Sequence, residues 1–324
     1  MNKEEIQMSK VVLVGDGAVG STFAFSLLQH GGVDELVIVD LRADHAHGDA
    51  IDLEDVTPMM GAAHVYAGNY EDASDADIVV ITAGVPRKAG ESRLDLVSKN
   101  TNILKSIIDP IVASGFAGCF VVSANPVDIL TTLTQRLSGF PKERVIGTGT
   151  SLDSARLQVA LGQALGISTS GIDAYVLGEH GDSSFSAYDK ATINGRPLKD
   201  YPGVDDELLA KLTTIVHDKG GEIISHKGAT FYGVATSLTK IYQAILGDQE
   251  IVLPVSAPLE GEYGIDGLYL GAPAVLAAGG IKTVLEMNLS ASEQRQMQAS
   301  ATAMQVILSQ VEEDISYEVK SSAL

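Results

Sequence analysis

A handful of residues in this chain have the types and spacing to move a proton or hold an anion. His180 lies in EHGD, directly after the apolar run YVLG, and Asp153 and Arg156 stand three apart in SLDSAR. The stretch GVPRKAGESR, residues 84–93, carries Arg87, Lys88 and Arg93 in a chain with only 22 Lys and Arg against 42 Asp and Glu. An imidazole gives or takes a proton near neutrality, and a carboxylate against it fixes one tautomer and stabilises the charged ring. A guanidinium binds a carboxylate through two parallel charge-assisted bonds. Spacing alone leaves the bland readings open. Asp153 and Arg156 share a helix face and could form an ordinary ion pair there. His180 could be a structural histidine, because proximity in space cannot be read from the chain. The basic stretch, with Gly84, Pro86 and Gly90, could be a solvated loop or a lid over a site.

Other chemistries are excluded or left without support. A formal charge of -20 disfavours nucleic acid and anionic membrane as partners, so any anion site must be built locally. No apolar run is long enough to span a membrane, and MNKEEIQMSK lacks the apolar core of a signal peptide, which points to a soluble cytoplasmic protein. Cys119 is the only cysteine, so no intrachain disulfide can form, and its setting in GCFVV reads as a small buried hydrophobe. No HExxH, CxxC or clustered ligand set suggests a metal, and neither a GxSxG elbow nor a Walker sequence occurs.

The elements that must position these residues begin with VVLV, Val11 to Val14, followed at once by GDGAVG, Gly15 to Gly20. A helix-spaced run then stops at Gly31 and Gly32, and ELVIVD ends in Asp40, which makes a βαβ unit. Gly15 permits the tight turn, Gly17 lets backbone approach a pyrophosphate, and Gly20 lets the helix pack on the strand. With Ala18 and Val19 opening the helix, the turn offers its N-terminus to phosphate. Asp40, twenty positions past Gly20, suits an unphosphorylated ribose and repels the extra phosphate of NADP. The expected cofactor is NAD, although the fingerprint itself leaves FAD open.

DIVVITAG and GCFVVSANP continue the apolar strands, and GVPRKAGESR follows the end of the first. Ligands collect beyond the carboxyl ends of such parallel strands. The intervening run reads as helix, with Pro110 expected to interrupt or restart it. IDAYVLG reads as one strand. Residues 205–247 suggest long helices interrupted by glycines, and 250–281 short strands separated by turns. SASE, Ser290 to Glu293, is a capping box for a helix running to about Glu313. The fold class is therefore α/β: a Rossmann-type parallel-sheet domain over 1–147, to which 231–247 could pack back, and a mixed α/β catalytic domain over 148–324.

In order along the chain, GDGAVG, SRLDLVSKN, SANPVD, GTGTSLDSARLQ, YVLGEHGD, KGATFYG and LPVSAPLEGEYG resemble the lactate and malate dehydrogenase family over essentially its whole length, in texture most like its bacterial L-lactate branch. The resemblance implies an NAD-linked L-2-hydroxyacid dehydrogenase acting on a small 2-keto or 2-hydroxy acid, as a homodimer or homotetramer. It implies His180 as proton donor and acceptor, Asp153 as its partner, Arg156 as the grip on the substrate carboxylate, Arg93 as the lid arginine polarising the keto oxygen, and Asn125 and Thr230 as flanking pocket positions. Asn125 also falls among the cofactor-binding positions, with Gly15, Gly17, Ala18, Val19, Gly20 and Asp40.

Two departures from the family pattern matter. The discriminating loop position, usually Gln in lactate and Arg in malate dehydrogenases, is Arg87 here, so oxaloacetate and L-malate are the expected pair, with pyruvate and L-lactate the alternative. A catalytically silent NAD-binding protein is a more distant alternative, against which the intact His180, Asp153, Arg156 and Arg93 argue. The Arg and His through which allosteric bacterial relatives bind fructose 1,6-bisphosphate are replaced by Gln158 and Asp173, so no activation by it is expected.

Overall fold

The computed structural model describes residues 9–86 and 93–322. The first half alternates strand and helix: β1 (Lys10–Val14), α1 (Ala18–His30), β2 (Glu35–Val39), α2 (Ala43–Glu54), α3 (Thr57–Met60), β3 (His64–Ala67), β4 (Ile78–Ile81), α4 (Arg93–Ala113), β5 (Cys119–Val122), α5 (Val127–Ser138) and β6 (Val145–Gly147). Their six strands pair in parallel in the order β3-β2-β1-β4-β5-β6, the dinucleotide-binding order with its crevice between β1 and β4. Both faces are covered, so the strands read as unbroken apolar runs. In β1, Val12 and Val14 join the core layer under α4 and α5, while Val11 and Leu13 join the layer under α1, and all four are buried. Truncating Leu13, fully buried, to Ala should cost about 2–5 kcal/mol.

The second half comprises α6 (Ser151–Leu165), the short strands β7 (Ile172–Asp173), β8 (Val176–Leu177), β9 (Phe185–Ser186), β10 (Thr192–Ile193) and β11 (Arg196–Pro197), the helices α7 (Asp206–Lys227) and α8 (Tyr232–Leu246), the antiparallel strands β12 (Ile251–Glu260), β13 (Asp266–Ala277) and β14 (Gly280–Val284), and α9 (Ala291–Ser322). β12 pairs with β6 through Ser256 and Gly147, so one nine-stranded sheet runs through both halves. α8 lies against α1, where Thr239 Oγ1 donates to Ser26 Oγ at 2.9 Å and the Tyr242 hydroxyl donates to the Gly32 carbonyl.

Several local expectations need correction. Pro110 does not break α4; it lies in the last turn, where the helix ends within three residues. α7 runs through Gly220 and Gly221, because neighbouring packing outweighs a cost of about 1 kcal/mol per glycine. The region 250–281 forms long strands, its prolines included: Pro254 pairs with Pro273 across the β12–β13 ladder. IDAYVLG splits into β7 and β8, and α9 continues to Ser322.

Candidate active site

The glycine turn is built as a backbone cradle. Gly15 has φ +102°, and a Cβ there would meet the Ala83 amide nitrogen at 2.5 Å; a Cβ on Gly20 would meet the Gly15 carbonyl at 2.0 Å. Gly17, at the N-cap of α1, has nothing within 4 Å of its Cβ direction, which leaves room for a pyrophosphate at the helix N-terminus. Ala18 is exposed beside it and Val19 half-buried. Asp40, just past β2, accepts from the Asp16 amide at 2.7 Å, the Arg42 amide at 2.8 Å and Arg42 Nε at 3.3 Å. Burial opposes its charge, but these donors outweigh burial and hold the carboxyl below its usual range. Asp16 Oδ2 lies 3.0 Å from His45 Nδ1, and Asp49 stands close by; the Asp16–His45 hydrogen bond accounts for this group. Cys119 is buried, which pushes its thiol up to about 11.

The imidazole lies beyond the carboxyl ends of β5 and β6, on a cavity shared with Ser123, Asn125 and Thr148. Ser154, buried in α6, accepts from the Val176 amide at 2.9 Å and so fastens α6 to β8. This join brings His180 against Asp153 across 27 positions of sequence, with Nδ1 2.6 Å from Asp153 Oδ2. Asp153 Oδ1 also accepts from Arg156 at 3.2 Å, and the side chains of Asp153 and Arg156 are about nine-tenths buried, which rules out an exposed surface pair. Burial opposes the ionised form of Asp153, yet His180 and Arg156 outweigh it and lower the carboxyl. For His180, burial opposes the charged ring, and Asp153, with Asp128 behind it, overcomes that and raises the imidazole.

The loop carrying His180 is held by three successive amides. Gly178 exchanges backbone hydrogen bonds with Gly271 of β13 at 3.0 and 2.9 Å, the Glu179 amide donates to Ser300 Oγ of α9 at 2.7 Å, and the His180 amide donates to Asp128 Oδ2 of α5 at 2.8 Å. The ring thus faces a cavity of about 20 Å³ lined by Ser123, Asn125, Thr148, Leu152, Val234 and Ser237. Leu152 also borders an apolar cavity of about 420 Å³ that contains Arg156, Thr230 and Phe231. Gly220 of α7 faces the Arg156 guanidinium, where a Cβ would sit 3.5 Å away, at ordinary van der Waals distance. A wider cleft of about 650 Å³ lies at the amino ends of the strands among Ser9, Asp77, Gly118 and Arg144, away from this chemistry.

The fold agrees with comparisons to known proteins. Residues 9–147 match the model for the lactate/malate dehydrogenase NAD binding domain, and 150–315 the model for the alpha/beta C-terminal domain of the same family. The chain belongs to the lactate/malate dehydrogenase family. It is 61% identical over 295 residues to L-lactate dehydrogenase 2 of Lactiplantibacillus plantarum, covering 91% of this chain and 96% of that protein. It is 61% identical over 300 residues to L-lactate dehydrogenase of Lactobacillus delbrueckii subsp. bulgaricus, covering 92% and 98%. The crystal structure of the minor L-lactate dehydrogenase from Enterococcus mundtii in the ligands-bound form superposes with a TM-score of 0.92 at 38% identity, over 94% of this chain and 99% of that one.

As a lactate/malate dehydrogenase the chain is an NAD-dependent oxidoreductase, and its Rossmann half fits that cofactor at Gly17 and Asp40. The structure brings together His180, Asp153 and Arg156, with Asn125 and Thr230 on the adjoining cavities. Arg87 and Lys88 lie outside the described residues, as does the side chain of Arg93, whose backbone opens α4. Sequence reasoning missed three contributors. Asn100, buried on α4, donates to the Asn125 and Val85 carbonyls and accepts from the Val85 amide, tying the exit of β4 to the entry of α5. Asp128 and Ser256 form the buried pair behind His180. SANPVD displayed Asp128, but nothing local distinguished it from a first-turn helix acid.

Proposed function

We propose that this enzyme reduces pyruvate to L-lactate with NADH and catalyses the reverse oxidation. The observation that carries the reading is the 61% identity, over more than nine-tenths of the chain, to proteins named L-lactate dehydrogenases. This departs from the oxaloacetate preference expected from Arg87, a residue outside the described ones. Bound NADH supplies the hydride. Arg156 pairs with the keto-acid carboxylate and fixes its orientation. His180, held through Nδ1 by Asp153, presents Nε2 to the carbonyl oxygen and gives it a proton as charge develops there. Arg93, in the role that the family resemblance implies, polarises that carbonyl, and Asn125 and Thr230 flank the substrate. In the oxidative direction neutral His180 takes the proton back.

The assembly we propose is a cytoplasmic homodimer or homotetramer without a fructose 1,6-bisphosphate switch, since Gln158 and Asp173 supply no cation for a bisphosphate. Among the described residues no helix is long and apolar enough to cross a membrane.

Steady-state assays with NADH test the substrate. Pyruvate should exceed oxaloacetate in kcat/KM, and the sugar bisphosphate should leave the rate at subsaturating pyruvate unchanged. A preference for oxaloacetate of tenfold or more, reversed by Arg87→Gln and untouched by Lys88→Gln, would establish the malate reading instead.

A further inference from the structure

Behind the imidazole lies a second carboxylate that the reaction above does not use. Asp128 is 1% exposed, and both of its oxygens have hydrogen-bond partners outside its own helix. Oδ2 accepts from the His180 amide at 2.8 Å, and Oδ1 is bonded to the hydroxyl of Ser256, itself fully buried on β12. One carboxylate therefore joins α5, the loop after β8 and the antiparallel strand that extends the sheet, across 52 and 128 positions of sequence. A helix-capping or merely space-filling role does not need this. A buried carboxylate is costly unless its charge is used or well paired, and an asparagine could satisfy both partners.

Among the described residues, the charged groups facing His180 are Asp153 and Arg156 from α6 and Asp128 from α5. Asp153 engages the ring and Asp128 the backbone of the same residue. Asp128 favours the imidazolium and Arg156 opposes it. Burial pushes the Asp128 carboxyl up, against the pull of Ser256 and the His180 amide, so its charge depends on those two donors. Asp128 and His180 then titrate as an interacting pair.

We propose that Asp128 is a positioning residue for the proton transfer: it seats the His180 backbone so that the ring meets Asp153, and its negative charge sustains the imidazolium form. The proposal rests on His180 being the proton donor, and the two can fail separately. Asp128→Asn keeps the shape, with its carbonyl able to accept from the His180 amide and its amide able to donate to Ser256, and removes only the charge. In the pH profile of kcat/KM for keto-acid reduction, the alkaline limb should move at least half a pH unit lower, with NADH affinity within twofold of native. Asp128→Ala, which also loses the seat, should lower kcat by a further tenfold or more.

Should Asp128→Asn not fold, Ser256→Ala carries the test. It removes a donor that keeps Asp128 charged and leaves the His180 bond, so the limb should move the same way by a smaller amount. An unmoved limb in the folded variant, with kcat within twofold of native, overturns the proposal. A native enzyme that turns over no keto acid would instead overturn the reading beneath it.

Discussion

The glycine turn and the histidine loop both lie beyond the carboxyl ends of parallel strands, yet they are made in opposite ways. The turn draws everything from one βαβ unit: Gly15, Gly17, Gly20 and Asp40 fall within 26 consecutive residues, and the Asp40 carboxylate is held by amides of residues 16 and 42. The histidine loop has three successive amides held from Asp128, Gly271 and Ser300, and its ring is held from Asp153. Asp40 owes its low proton affinity chiefly to fixed backbone dipoles acting against burial, whereas Asp153 owes its own to two ionised side chains. On the proposed reading, cofactor recognition is accordingly local and indifferent to the ionisation of His180, and the proton site is global and coupled.

The sharpest way to separate the two regions is to disable one and read the other. His180→Ala should lower turnover by about 10²–10⁴ while leaving NADH affinity, read by calorimetry, close to native. Loss of cofactor binding in that variant would join the regions that the account keeps apart. Conversely, the native enzyme should use NADH at least tenfold better than NADPH in kcat/KM, if one ionic contact at Asp40 is worth about 1.4 kcal/mol, and Asp40→Asn should narrow that gap without moving the pH profile. Equal efficiencies would remove Asp40 from its assigned role.

The smallest effect is also the one that reads the coupling. Because His180 is raised above 6.5, reduction, which needs the imidazolium, should hold steady through pH 6.5 and fall as pH rises through the higher value, while oxidation rises over the same range. The pair also has a stability signature. Asp153 is lowered, so its contribution is present above its unfolded value and lost as pH falls through the folded one; the His180 contribution is present below 6.5 and lost as pH rises through its folded value. Thermal unfolding of native and Asp153→Asn proteins should therefore differ most between roughly pH 4 and 6.5. An inflection in the reductive profile below 6.5 would mean that burial, and not the carboxylates, governs the ring.

How much of this could be read from the chain follows the same division. The parallel strands were legible because burial on both faces makes them continuous apolar runs, and the cofactor turn because glycine spacing and a strand-end acid are local requirements. His180 was legible as a candidate from EHGD, but its pairing with Asp153 depends on the Ser154–Val176 join, which no periodicity announces. Asp128 looked like any acid at a helix start until β12 and the histidine loop closed over it. Prolines and glycines interrupt the strand pattern of β12 and β13 along the sequence, yet the ladder accommodates them. Arg87 shows the remaining limit: a family position pointed to oxaloacetate, whereas relatives 61% identical to this chain are named L-lactate dehydrogenases.

The central claim is that the cofactor region delivers the hydride and the histidine region the proton, to different atoms of one carbonyl. Reduction of pyruvate with NADH carrying deuterium at both C4 positions, in ordinary water, tests it most directly. One deuterium should appear on C2 of the product, the product should be L-lactate, and none of the label should exchange with solvent. A product whose C2 carries hydrogen from water would contradict direct hydride transfer and with it the division of labour between the two regions.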